Sequence, residues 1–330
     1  MPGGQTRSCQ WSAWRFRASA GWPVGDLLAF LASLCWTASN VAIARGSGGK
    51  GDDNGAFLSI LLTAGLASVV WLAGAWGRGW PVLVPASVAW FMLGGALTMF
   101  IGRVLSFSSI QRLGAIRGAS IKRLVPLFSV LCGVVLLGDA LSVSLVIGML
   151  LIFGGFGVLV VESLGRVRVA VQGAAAAAHD SDKRRWMRVG LLIGAVSALA
   201  YALGNVARKF GLNLMPEPAF GAMLGALTGV LLFLLSALFA PGYRASVRST
   251  FTRFNPWLFG AGLSASAGQL LFFVAIDYTT VSRAALIVSL EVFLTMGMTR
   301  VLLPGRESLS MPAVVAAVLG VVGTVVIMLG

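Results

Sequence analysis

Trp36-Thr37-Ala38-Ser39-Asn40-Val41-Ala42 lies inside an apolar run, and Tyr201-Ala202-Leu203-Gly204-Asn205-Val206-Ala207 repeats its plan 165 residues later. An aromatic residue, three small or apolar residues and then Asn-Val-Ala recur in the same order. At a shift of 166, Arg103 stands opposite Gln269, Phe107 opposite Phe273, Ile110 opposite Ile276 and Arg117 opposite Arg283. Gly138-Asp139-Ala140-Leu141-Ser142 matches Arg306-Glu307-Ser308-Leu309-Ser310 after a two-residue insertion. The chain is therefore an internal duplication, and a duplication constrains the architecture before any single motif does.

Working outward from these anchors, ten apolar runs approach the roughly 20 residues that a helix needs to cross a bilayer. They cover 27–44, 56–76, 84–102, 119–138, 140–161, 189–207, 218–243, 256–276, 284–303 and 309–330. A spanning helix satisfies its backbone amides within itself, which is why such runs read as helices. The duplication pairs the first run with the sixth, the third with the eighth and the fourth with the ninth, so each half holds five. After an odd number of crossings the second half begins on the other side, and the halves are inverted. The expected fold is an all-α integral membrane protein of ten transmembrane helices in two inverted five-helix repeats, a construction that suits exchange between two oppositely open states.

Composition agrees. Of 330 residues, 58% are hydrophobic and 11% charged, against about 25% charged in ordinary globular domains. Mean hydropathy is +0.90. The net charge of +14 comes from 25 Lys and Arg scattered between the apolar runs, not gathered on the basic face that nucleic acid requires. Nucleic acid is accordingly not an expected partner, whereas the lipid bilayer is. Cys9, Cys35 and Cys132 are far apart and His179 stands alone in a polar stretch. They offer neither a disulfide framework nor a metal site, and no cofactor is expected.

Short connections containing Gly, Pro, Arg or Asp separate most runs. The long one holds the alanine tract Ala174 to Ala178 and the charged run Asp180 to Arg185. The expected organisation is an N-terminal polar segment 1–22, a first repeat 23–163, a linker 164–187 and a second repeat 188–330. Segment 1–22 mixes Arg7, Arg15 and Arg17 with Trp11, Trp14 and Trp22, which suits the headgroup level; a disordered tail fits equally. The duplicated first run argues against a cleaved signal peptide.

Ionisable side chains at bilayer depth are costly and usually face a protein interior or an aqueous path. Arg103, Lys122, Arg123 and Glu291 stand out in this way. Lys122 and Arg123 interrupt the fourth run and Glu291 interrupts its counterpart, the ninth, and interrupted helices at corresponding positions point to a binding region. Snorkelling to the interface is the plain alternative for the three cations. Asn40 and Asn205 need partners in hydrocarbon, and Trp36 and Tyr201 lie four residues earlier, hence on the same helical face. An aromatic ring with an amide can grip a flat polar solute; helix–helix adhesion is the competing use. The substrate-pathway set is Trp36, Asn40, Arg103, Lys122, Arg123, Tyr201, Asn205, Gln269 and Glu291. Glu291 is the candidate for proton coupling, with another ion as the alternative.

The chain resembles the EamA family of the drug/metabolite transporter superfamily in both halves. The resemblance rests on Leu124-Val125-Pro126-Leu127-Phe128 with Leu136-Leu137-Gly138-Asp139-Ala140-Leu141-Ser142, then Gly148, Gly154 and Gly155. In the second half it rests on Ser289-Leu290-Glu291-Val292-Phe293, Glu307-Ser308-Leu309-Ser310, Gly320 and Gly323. Val292 stands where the family usually has Pro, and Asp139 where it has Glu. The resemblance implies a secondary transporter of a small-molecule metabolite, in a bacterial inner membrane, with its site between the halves.

No phosphate-binding Gly-Lys-Ser loop argues for direct nucleotide coupling. An amino acid or organic acid, exported, is the leading reading. A multidrug exporter or a lipid-carrier flippase of the same superfamily is the alternative. Small multidrug resistance proteins rely on an acid in the first helix, whereas here Asp26 stands at its entrance. A membrane enzyme is disfavoured, because the carboxylates are dispersed and no catalytic cluster is visible. Counting loop cations gives fifteen on the side opposite the termini and seven on the termini's side, Arg208, Lys209 and Arg283 among the seven. The positive-inside tendency then puts the termini outside the cytoplasm, whereas the resemblance implies the reverse.

Overall fold

The computed structural model describes residues 6–46, 55–78, 80–106, 124–174, 181–302 and 310–330. These are mostly helical, with no strand among the described residues. The helices are α1 (Thr6–Gly46), α2 (Ala56–Arg78), α3 (Pro85–Gly95), α4 (Leu124–Cys132), α5 (Val143–Ala174), α6 (Ser181–Leu214), α7 (Pro218–Phe239), α8 (Pro241–Thr252), α9 (Pro256–Tyr278), α10 (Val281–Val288), α11 (Glu291–Leu302) and α12 (Met311–Leu329). Wide π-helical turns continue α3 over Ala96–Gly102 and α4 over Gly133–Leu137.

Seven segments among the described residues are long and apolar enough to cross a membrane: Val24–Ile43, Ala56–Trp76, Pro85–Ser106, Pro218–Phe239, Pro256–Tyr278, Val281–Met298 and Met311–Leu329. Leu124–Leu137 and Val143–Leu159 are shorter apolar helices. The sixth apolar run, 189–207, lies within α6.

Local chemistry sets the helix ends. Pro occupies the first turn of α3, α7, α8, α9 and α12, where its missing N–H is no loss. Asn255 caps α9 by accepting from the backbone N–H groups of Trp257 at 3.0 Å and Leu258 at 3.3 Å. Thr280 and Ser310 cap α10 and α12 in the same way. Gly138, at φ +69°, closes α4 in the left-handed conformation that glycine adopts without strain.

Three features go beyond the sequence reading. The run 218–243 is not one helix: it stops at Phe239, and Pro241 starts α8, a separate helix carrying Arg244 and Arg248. Segment 164–187 is helical at both ends, as α5 continues to Ala174 and α6 begins at Ser181. The ninth run breaks at Ser289–Leu290, where bonding tightens to three-residue spacing: Leu290 N–H to the Ile287 carbonyl at 3.1 Å, and Val292 N–H to that of Ser289 at 3.3 Å. The Ser289 hydroxyl donates to the Leu286 carbonyl at 2.6 Å, the kind of local bond that competes with a helix ladder.

The packing carries the duplication into three dimensions. α1 packs along α9 and α3 along α6; α2 pairs with α7 and α5 with α12; α10 and α11 meet α1, while α4 meets α6 and α10. Exchanging each run for its counterpart five places on maps these pairings onto one another. The principal pairs are antiparallel: Ser87 bonds Gly211 while Ser197 bonds Gly102, and Gly148 faces Gly323 while Gly155 faces Ala316. Backbones approach closely where glycines meet, since a Cβ on Gly95 would sit 2.3 Å from the Gly225 carbonyl oxygen.

The surface is apolar and the interior is studded with small hydroxyls. Leu227, Leu231, Leu234, Leu235 and Leu238 of α7, and Val314, Val318, Val321, Val322 and Val325 of α12, are exposed. Thr63, Ser266, Thr98 and Thr324 are buried and donate to carbonyls four residues back on their own helices. Apolar outward, with these hydroxyls bonded to their own helices inward, is the arrangement a bilayer selects.

Candidate functional site

Two polar clusters flank α9, each built on one of the duplicated amides. In the first, Asn40 of α1 donates from Nδ2 to Glu291 Oε1 at 2.6 Å and lies 3.4 Å from Thr295 Oγ1. Thr37, one turn earlier, reaches the Glu291 carbonyl at 3.4 Å. The break at Ser289–Leu290 makes Glu291 the first residue of α11, so its carboxylate stands at the positive end of a new helix. Trp36 packs against Phe272 with ring centroids 5.7 Å apart. Gly268 makes room for the indole, because a Cβ there would meet its Nε1 at 3.0 Å.

In the second cluster, Asn205 accepts at Oδ1 from Arg208 Nη1 at 3.2 Å. Arg208 Nη2 donates to Thr98 Oγ1 on α3, and the guanidinium lies 4.7 Å from the centroid of the Phe273 ring. Thr98 and Gly94 are mid-span in Pro85–Ser106, so this guanidinium lies at half depth. Tyr201 lies against Gly102. Gln269, one turn before Phe273 on α9, is buried, and its Nε2 has no partner among the described residues. Phe272 and Phe273, adjacent on α9, face the two clusters.

Of the remaining pathway residues only Arg103 is among those described, and it hydrogen-bonds to α2. Arg103 donates from Nη1 to Ser59 Oγ at 2.6 Å and lies 3.4 Å from the Ala56 carbonyl, at the first turn of α2. Lys122 and Arg123 lie outside the described residues. The structure thus brings Trp36, Asn40 and Glu291 to one cluster and Asn205 to the other, with Tyr201 and Gln269 on the helices that form it.

Three charged groups that the sequence reading put in loops or at a span entrance, Asp26, Arg208 and Arg283, belong to the interior. Arg208 and Arg283, counted among loop cations, are 2% and 5% exposed. Arg283 Nε and Nη2 grip both oxygens of Asp26 at 2.7–3.0 Å, joining α10 to α1. Beside this pair, Asp139 Oδ2 accepts from the Ser282 hydroxyl at 2.7 Å and its N–H at 3.0 Å. Lys209 Nζ donates to the carbonyls of Ile276 and, at 3.1 Å, Thr279, closing the end of α9. The signal for Arg208 was helical spacing: it follows Asn205 by three residues on the same face. With Arg208 and Arg283 buried, the loop charge on the termini's side falls further below that on the other.

Comparisons with known proteins fit this architecture. One solved crystal structure superposes with a TM-score of 0.63 at 21% identity, over 92% of this chain and 97% of the other, a likeness of fold. Uncharacterized protein PA1977 of Pseudomonas aeruginosa is 33% identical over 143 residues, 43% of this chain and 47% of that protein, so the match spans about half the relative's length. The model of the EamA-like transporter family matches twice, over residues 23–161 and 188–329. The chain belongs to the EamA-like transporter family and is a multi-pass membrane protein of the drug/metabolite transporter type.

Proposed function

We propose that the chain is a secondary transporter that exports a small polar or amphipathic metabolite, of the amino acid or organic acid class, across a bacterial inner membrane. It works by alternating access between two inverted halves of five spans each. The observation that carries this reading is the Asn40–Glu291 pair at 2.6 Å, which joins a helix of the first half to the broken helix of the second. A break tightened over only a few bonds is where two helix segments can change their angle at small cost, and membrane transporters use discontinuous helices at their sites.

Glu291 is the proton-coupling group. Ionised, it accepts a charge-assisted bond from Asn40; protonated, it loses that assistance, and the α1–α11 contact weakens. Trp36, Asn40, Tyr201, Asn205, Gln269 and Arg103 contribute to the pathway, with Lys122 and Arg123 as further members. Family membership favours transport over enzymatic turnover.

The test begins with a metabolite-resolved comparison of medium from overexpressing and deletion cells. Candidates are then measured as labelled flux in proteoliposomes with and without a pH gradient. Glu291→Gln is expected to keep counterflow and lose stimulation by the gradient. Full gradient-driven flux in that variant removes the coupling role, and absence of flux for every candidate removes the transport reading.

A further inference from the structure

We infer that Arg208, assisted by Gln269, is an anion-recognition centre that takes the carboxylate of the transported solute. The inference rests on the transport reading and narrows its substrate class. Arg208 is 2% exposed at half depth beside α3, where a charge is retained only with compensation. Its partners are neutral: the Asn205 amide, the Thr98 hydroxyl and the Phe273 ring. No salt bridge reaches it among the described residues; the bridge there is Arg283 to Asp26.

The hydrogen-bonding deficit has the same sign as the charge deficit. Arg208 Nε and Gln269 Nε2 are buried donors without acceptors among the described residues. Gln269 stands one turn before Phe273, the ring beneath the guanidinium, on the same face of α9. Two orphan donors and one unpaired positive charge are completed together by a single carboxylate, whose planar oxygens match a guanidinium edge. An amine would add a charge of the wrong sign, and a neutral solute would leave the charge uncompensated. Phe273 beneath the guanidinium allows an apolar body beside the carboxylate.

The experiment is heat unfolding of the detergent-purified chain titrated with sodium acetate, octanoate, cyclohexanecarboxylate and glutamate. Each is compared with its amide and with sodium chloride. At least one carboxylate is expected to protect at concentrations roughly ten- to hundred-fold below its amide, the range a charge-assisted pair supplies. Arg208→Gln is expected to erase the preference, Arg208→Lys to keep part of it, and Gln269→Leu to reduce it several-fold.

Equal protection by acid and amide, no protection by any carboxylate, or full preference in Arg208→Gln overturns the inference. If Arg208→Gln does not fold, unchanged preference in both Arg208→Lys and Gln269→Leu overturns it instead. Vesicle flux separates this from the transport reading. Carboxylate binding without flux of any solute refutes transport and leaves the centre standing. Flux of neutral or cationic solutes, undiminished in Arg208→Lys and without carboxylate preference, does the opposite.

Discussion

The Asp26–Arg283 pair ties α1 to the start of α10, and removing it tests whether the two halves are held together there. Both side chains are buried, at 2% and 6% exposure, with a contact at 2.7 Å. Asp26→Asn takes from the Arg283 guanidinium the carboxylate that it grips by both oxygens, and Arg283→Gln takes that guanidinium from Asp26. Each is expected to destabilise the fold by about 3–5 kcal/mol. The double variant removes both charges, and its amides can still hydrogen-bond, so its loss should fall short of the sum by about 2–3 kcal/mol. Reversible denaturation in mixed micelles, followed by tryptophan fluorescence, gives the four free energies of the cycle. A coupling within about 0.5 kcal/mol of zero refutes the reasoning, because the pair would then be two independent side chains that merely sit close.

Other expectations follow from single contacts. Gly95→Ala puts a Cβ 2.3 Å from the Gly225 carbonyl oxygen; backbone cannot rotate aside, so α3 and α7 must separate, and a loss of at least about 2 kcal/mol is expected in the same unfolding assay. Asn255→Ala removes the cap of α9 and the donation to the Gly46 carbonyl at 2.9 Å, lowering stability by about 1–2 kcal/mol; an unchanged melting midpoint would show the cap to be dispensable. Asn40→Asp replaces the donor to Glu291 by a second carboxyl and so removes the 2.6 Å hydrogen bond; a loss of at least about 1 kcal/mol is expected in the same unfolding assay, and an unchanged midpoint would contradict the contact.

The long apolar runs and their duplication were legible because a bilayer imposes a crude requirement, length and hydropathy, that one sequence can display. The polar interior was only half legible. Asn40 and Glu291 each stood out as polar groups in apolar surroundings, yet their pairing is a tertiary fact, 251 residues apart in sequence. Arg208 and Arg283 were missed for a physical reason: hydropathy ends a span at the first charge, whereas the folded chain carries α6 on to Leu214 and starts α10 at Val281, drawing both guanidinium groups inside. The same averaging read across Ala240 and hid the boundary between α7 and α8. The ninth span was flagged by Glu291, but the break itself lies two residues earlier, where the Ser289 hydroxyl takes a local carbonyl.

The two related asparagines perform opposite roles with the same side chain. Asn40 gives a hydrogen to an acid, and Asn205 receives one from a base. A carboxamide can do either, since it carries a donor and an acceptor on one carbon; an aspartate or a lysine at both places would be tolerated in only one half. A single ancestral module with an asparagine there could thus be copied intact and diverge in the sign of its partner, without first altering the residue that had been duplicated.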